Sequence, residues 1–175
     1  KKVDLLTGEA DFTFSLLGKW KDPNIKGDLK ISNASLSLKG NYPRISSING
    51  HAYIDEDKFI VEKLTGRIGG GDINVSGLVH FKGFLIKKFS FESDLNKVTV
   101  SLLKDADINL KGSLIYKGTP EAQSINGDIK INSAKYREKI EWKSFLLKTK
   151  AKERPKGEVS GFENAELNIS IAGDE

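Results

Sequence analysis

The sequence contains no cysteine and only two histidines, His51 and His80. Without cysteine there is no disulfide framework, no thiol nucleophile and no thiolate metal site, and the redox compartment is left open. Neither histidine has a second histidine nearby or a metal-ligand spacing, so both are expected on the surface of a strand rather than as ligand or base. No apolar run approaches the roughly 18 residues that cross a bilayer as a helix. Lys1-Lys2-Val3-Asp4 does not begin a signal peptide, so any anchor or export signal is expected outside these residues. Charge of one sign is not concentrated either: 28 Lys and Arg stand against 24 Asp and Glu, a formal +4, and the two signs interleave along the chain. A solvated sheet face has that distribution, whereas a nucleic-acid reader clusters its basic charge.

The chemistry of catalysis is equally sparse. No Ser sits on a Gly-flanked elbow with a His base to activate it. Gly69-Gly70-Gly71 lacks the Lys-Ser/Thr of a phosphate loop and runs into Asp72-Ile73-Asn74-Val75, so a hairpin turn or bulge is expected there. Asp55-Glu56-Asp57 and Asp105-Ala106-Asp107 lack the spaced acids and the glycine of an EF-hand loop and read as solvated turns. Carboxylates are abundant, but no pair is singled out for sugar chemistry. Asn33-Ala34-Ser35, Asn74-Val75-Ser76 and Asn168-Ile169-Ser170 match the glycosylation triplet, a short pattern with a high chance rate. The expectation is therefore no enzyme, no cofactor and no metal.

What the chain has in quantity is alternation. Its 175 residues are 38% apolar and 30% charged, with 17 glycines. Period-two runs dominate: Phe12, Phe14 and Leu16; Leu29 and Ile31; Leu36 and Leu38; Ile48, Ala52 and Ile54; Phe59 and Val61. They continue through Ile73, Val75, Val79 and Phe81, then Phe89 and Phe91, then Val98 and Val100. Ile108, Leu110 and Leu114 follow, and Ile129 and Ile131 close the series. Successive side chains of a strand point to opposite faces, so these residues form one apolar face opposite a face of Lys, Asp, Asn, Ser and Glu. Gly50, Gly66, Gly77, Gly112 and Gly127 fall in phase with the apolar set, where they permit either a sharp bend or a bulge.

Turn signals separate the runs at Asp22-Pro23-Asn24, Asn41-Tyr42-Pro43, Asp55-Glu56-Asp57, Lys82-Gly83 and Gly118-Thr119-Pro120. Connections this short favour antiparallel hairpins, and the runs amount to about eleven strands in a ladder near 50 Å long at roughly 4.8 Å per strand. The two stretches with a trace of helical pattern, 4–9 and 137–152, are also expected as strands. Trp20 and Trp142 are expected to pack at sheet corners. Alternation alone leaves two ways to treat the apolar face: a second layer covers it, as in a sandwich, or it stays open.

The chain also repeats itself. Gly27-Asp28-Leu29-Lys30-Ile31-Ser32-Asn33-Ala34 returns one hundred residues later as Gly127-Asp128-Ile129-Lys130-Ile131-Asn132-Ser133-Ala134. A shorter phrase occurs as Glu9-Ala10-Asp11-Phe12, Asp105-Ala106-Asp107-Ile108 and Asn164-Ala165-Glu166-Leu167. Such repetition points to an elongated array, with one unit over about 9–104, a partial second over about 105–175, and the whole a piece of something longer. A polysaccharide-active β-solenoid would instead need a short rung repeat.

Gly18-Lys19-Trp20-Lys21-Asp22-Pro23-Asn24-Ile25-Lys26-Gly27, the strand Asp28 to Ile31, and Leu64-Thr65-Gly66-Arg67-Ile68-Gly69-Gly70-Gly71-Asp72-Ile73-Asn74-Val75-Ser76-Gly77 stand in that order. The pattern resembles the TamB-like members of the AsmA superfamily, best over 9–83 and more weakly over 105–136. The second copy departs from it, with Tyr116 in place of Trp20, three more residues between Pro120 and Gly127, and no triple-glycine hairpin behind it.

The resemblance implies an all-β fold: a long, mostly antiparallel sheet folded lengthwise into an open trough, a β-taco, with an apolar interior. It implies a segment of a bridge-like lipid-transfer protein that carries phospholipid across the periplasm of a Gram-negative-type bacterium. The full-length protein would be anchored in the inner membrane, paired with an outer-membrane barrel of the Omp85 type, and linked to outer-membrane protein assembly. The apolar residues named above, Ile48 and Ala52 excepted, would then line a smooth lipid groove. The competing expectation is a structural or adhesive β-repeat with a closed core.

Overall fold

In a computed structural model of the chain, the residues described are 3–19, 22–38, 42–103, 106–136 and 165–173. They form nine strands: β1 (Val3–Lys19), β2 (Asp22–Leu38), β3 (Ile45–Glu56), β4 (Lys58–Ile68), β5 (Gly71–Lys82), β6 (Leu85–Leu103), β7 (Ala106–Gly118), β8 (Gln123–Tyr136) and β9 (Ala165–Gly173). All nine lie in one sheet in sequence order, β1 and β9 being its two edges. Residues 4–9 are strand, as expected despite their trace of helical pattern, while 137–152, Trp20 and Trp142 lie outside the described residues. Neighbours from β1 to β8 are antiparallel, joined by short turns, but β9 runs parallel to β8. A parallel neighbour needs a crossover of a dozen or more residues, and the 137–164 stretch is long enough to make one. The fold is all-β, and the sheet does not close into a barrel, leaving an open trough.

Among the described residues the strands are longer than the alternation suggests. Where the sequence predicts about eleven, the described residues form nine, because runs that look separate are joined through β-bulges. Leu29 and Ile31 have odd numbers and Leu36 and Leu38 even ones, yet all four sit on β2, whose register slips between Ile31 and Ala34. Asn33 takes a positive φ of 46° in that slip. The same happens in β3 at Ser47, with φ of 51°, and in β6 at Lys97, with φ of 54°. In β4 the register slips between Val61 and Leu64, and in β8 between Ile131 and Ser133. Each extra residue resets the phase, so the apolar set stays on one face. The repeat one hundred residues apart becomes structural here: its two copies are strands that bulge just past Ile31 and Ile131.

Bulges strand backbone groups, and asparagine side chains supply the missing partners. Asn33 N–H donates to Asn49 Oδ1 at 2.9 Å, and Asn49 Nδ2 donates to the Ser47 carbonyl at 2.9 Å. Across the sheet, Asn109 Nδ2 donates to the Lys97 carbonyl at 2.8 Å, and Asn109 Oδ1 accepts from Asn132 Nδ2 at 2.9 Å. β1, at 17 residues, and β6, at 19, would each extend for more than about 50 Å at about 3.3 Å per residue if straight. Bulges part-way along bend such strands and raise their twist, which is how a long-stranded sheet folds into a trough.

The glycines act with the bulges. Gly69 and Gly70, at φ of 55° and 87°, make the two-residue turn between the paired Ile68 and Gly71. Both central residues at positive φ are what a type I′ hairpin requires. A Cβ on Gly69 would sit 2.0 Å from the Thr99 carbonyl oxygen, so this turn also packs directly on the β6 backbone. Gly77 lies opposite Phe91, and a Cβ there would come within 2.2 Å of the ring and 2.7 Å of the Ser90 oxygen. Phe91 therefore lies across the glycine, and strands missing a side chain on one face can close toward that face.

The opposite face carries its charged and polar residues in rows across the strands. Asp11, Lys30, His51 and Lys63 pair in line across β1 to β4, and Ser15, Lys26, Asp55, Lys58, His80 and Lys88 across β1 to β6. In the first of these rows His51 Nδ1 meets Glu62 Oε2 at 2.8 Å and Nε2 meets Asp28 Oδ2 at 2.5 Å. Carboxylates only accept, so both ring nitrogens must donate and the doubly protonated imidazolium is favoured. Its pKa is raised above 6.5 by the hydrogen bonds to Glu62 and then Asp28. Tyr53, Ile60 and Leu78 form a small apolar row within this otherwise polar face.

Two outcomes test these points. Gly77→Val should destabilise the sheet by about 1–3 kcal/mol through overpacking. Gly66→Ala, whose Cβ would meet nothing closer than 3.3 Å, should be neutral or better, with urea denaturation midpoints giving both values. A histidine whose folded pKa is raised contributes stability that is full below about pH 6.5 and is lost as the pH rises through the folded value. The midpoint of the native chain should therefore exceed that of His51→Gln near pH 6, and the gap should narrow by about pH 9.

Candidate functional site: the apolar face

Cross-strand register sorts the apolar residues of the alternation into rows that run along the trough. Phe12, Leu29, Ala52, Val61, Gly77, Phe91 and Tyr116 pair consecutively from β1 to β7, and Ile125 and Leu167 extend the row to β9. Beside it run Phe14, Gly27, Ile54, Phe59, Val79 and Phe89. On the other side run Ala10, Ile31, Gly50, Leu64, Val75, Ser93 and Leu114. Ile73, Leu95, Gly112, Ile129 and Ile171 make a fourth row. Toward the strand ends lie Val98 with Leu110 and Ile131, Val100 with Ile108, Leu16 with Ile25, and Phe81 with Ile86. Leu36 pairs with Ile45, and Leu38 follows two residues on. Register thus places the alternating apolar residues on a single face.

That face also holds residues the alternation misses. Leu64 is out of phase with Phe59 and Val61 in sequence, but the slip at 62–63 turns it inward. Ile45 and Ile68, paired with each other, are recovered in the same way. On β9, Leu167, Ile169 and Ile171 alternate strictly, a signal present in the sequence but only recognisable once the edge strand is placed.

The face is exposed toward its edges and half-buried between them. Among the described residues, only Ala34, Ala52, Val79 and Val98 are buried apolar side chains. Near one edge Phe12 is 73% exposed and Phe14 52%, and at the other edge Ile171 is 67% exposed. A sandwich would bury these residues against a second sheet; the described strands instead form one layer. Gly27 lies between Phe14 and Ile54 in its row, and the space left by its missing side chain opens a wholly apolar cavity of about 210 Å³ walled by Phe12, Leu29, Ala52 and Phe59. Farther along, the Phe89 and Tyr116 rings lie 4.8 Å apart and the Phe89 and Phe91 rings 6.3 Å apart, a tilted aromatic cluster.

Polar groups do enter the lining, contrary to the expectation of a wholly smooth one. Ser93 Oγ donates to the Leu114 carbonyl at 3.4 Å, and the Tyr116 hydroxyl donates to Gln123 Oε1 at 2.5 Å. Both bonds stay within the wall, so these groups offer weak anchors to anything lying over them. On the outer face, His51 is held between two carboxylates, and no group of acids and histidines able to hold a metal occurs among the described residues.

No curated protein and no solved structure matches the chain. A family model does: the TamB C-terminal domain, over residues 62–153. The match begins on β4, takes in β5 to β8 and the second copy of the repeat, and continues past the described residues. It lies C-terminal to the Trp-Pro module at 18–27 and overlaps the motif-bearing span 9–83 only from the end of β4 through the triple-glycine hairpin and β5. It covers more than half of the 175 residues, and the family is a transport and assembly family of the bacterial envelope, not one known for enzymes. An open all-β trough with one apolar face and a match of this extent together show that the chain belongs to the TamB C-terminal domain family.

Proposed function

We propose that this chain is a segment of a lipid-conducting bridge whose apolar face shields phospholipid acyl chains on their way between the inner and outer membranes. The observation that carries the proposal is the set of apolar rows that run from strand to strand across the ladder, with no second layer over them among the described residues. Nine strands make eight intervals of about 4.8 Å, a path of roughly 38 Å. One leaflet's share of the roughly 30 Å hydrocarbon core is less than half that. An acyl chain fits along the path with length to spare. Covering it gains around 0.8 kcal/mol per methylene, while the headgroup stays in water at the open mouth.

Transfer also requires that cargo leave each position as readily as it enters. Rows of Phe, Leu, Ile and Val of similar apolar character provide that, since a chain sliding by one rung loses one set of dispersion contacts and gains an equivalent one. The polar groups of the wall are already engaged with each other, which keeps the surface free of deep traps. Within the same reading, the full-length protein sits in the periplasm, anchored in the inner membrane, and hands lipid on beside an Omp85-type barrel in the outer membrane.

A photo-crosslinking side chain placed at Phe14, Ile31 or Val75 should capture phospholipid in cells, and one placed at Lys30 or Asn74 on the outer face should capture little. Equal adducts on the two faces would contradict lipid in the groove. Protein adducts at the inner positions in place of lipid would favour the closed-core, adhesive alternative.

A further inference from the structure

The hairpin between β5 and β6 stands apart from the charge pattern of the rest of the sheet. No Asp or Glu occurs between Asp72 and Glu92, and the tip reads Lys82-Gly83-Phe84-Leu85-Ile86-Lys87-Lys88. Lys82 pairs with Leu85 around a turn in which Gly83 takes φ of 61°. Three consecutive apolar side chains are held out in solvent there: Phe84 is 54% exposed, Leu85 66% and Ile86 45%. Lys82, Lys87 and Lys88 beside them are also exposed, and none is in an ion pair with a described residue. Glu56 and Asp57 lie beside the tip, across a crevice they share with Phe81 and Lys82.

We propose that this hairpin tip docks on an anionic phospholipid bilayer, seating Phe84, Leu85 and Ile86 at the boundary of the acyl chains and Lys82, Lys87 and Lys88 among the phosphates. Apolar residues beside cations are the composition that settles in the membrane interface, where apolar burial and attraction to anionic headgroups add. A protein partner would bury an exposed apolar tip as well, but it would not require three exposed lysines and no acid between Asp72 and Glu92 on the hairpin that carries it. Lysines also keep their ammonium groups in water while their stems lie along apolar surface, which suits a shallow insertion. The tip joins the lining directly: Ile86 pairs with Phe81, and the next inward rung pairs Phe89 with Val79. A docked tip would thus bring the lining at the ends of β5 and β6 close to the bilayer. Docking itself stands whether or not lipid travels along the groove.

The chain has no cysteine, so Leu85→Cys gives a unique site for an environment-sensitive dye. With vesicles of phosphatidylcholine and phosphatidylglycerol, the dye should brighten and shift to the blue, and with phosphatidylcholine alone it should respond weakly. Ile115→Cys on the outer face should not respond. In co-sedimentation, Lys82→Gln with Lys87→Gln and Lys88→Gln should weaken binding to the anionic vesicles more than about tenfold. The serine triple, Phe84→Ser with Leu85→Ser and Ile86→Ser, should lose it with its β-sheet circular dichroism unchanged.

Equal binding to neutral and anionic vesicles, or unaltered binding by either triple variant, would overturn the proposal. So would a dye signal that rises with protein concentration in the absence of vesicles, since the occupant would then be a second copy. Lipid extracted by a native chain that does not dock on anionic vesicles would leave the groove reading intact while removing this one.

Discussion

A sheet nine strands wide presents two faces, and only one of them suits water. In a globular protein the apolar face is covered by another layer, and most of the stability comes from the burial between them. Here the described residues supply no such layer. The sheet is held by its backbone ladder and by side chains that meet within the plane, such as Phe91 lying over Gly77, and Phe89 against Tyr116. Cross-strand pairs of this kind contribute a few tenths to about 1 kcal/mol each, and they add along the sheet as rungs add along a ladder. A protein built in this way turns its apolar surface toward whatever lies in the trough.

That two-faced geometry also explains why the irregularities matter. Strands of 17 and 19 residues must bend, and an extra residue in a strand bends it but also reverses its faces. The chain answers each reversal by shifting the apolar phase, from 29 and 31 to 36 on β2, from 59 and 61 to 64 on β4, and from 95 to 98 on β6. The side chains of Asn49 and Asn109 then engage backbone groups at the bulges, and Asn132 donates to Asn109. Bulge, phase shift and asparagine form one device, and its result is an unbroken inner face on a curved wall.

Much of this is legible in the sequence, and what is not has identifiable causes. Period two reveals the face because neighbouring side chains of a strand have no other choice of side. Pro43, Lys82-Gly83 and Gly118-Thr119-Pro120 mark real turns because few residues supply the backbone angles those turns need. The length of the strands is hidden, since a bulge and a turn both interrupt alternation and look alike in one dimension. Leu64 and Ile68 escape the alternation for that reason. The ion cluster of His51 with Asp28 and Glu62 joins three different strands, so no local spacing announces it. The parallel placement of β9 beside β8 is carried by no local turn signal, so periodicity does not announce it.

The functional reading depends on what occupies the inner face in the whole protein. The direct measurement is a density map of the full-length protein taken from native membranes without detergent. The account predicts rod-like, lipid-shaped density lying along the row from Phe12 to Tyr116, with headgroup density outside the mouth of the trough. A second layer of protein packed over Phe14, Ile31 and Val75 would contradict it.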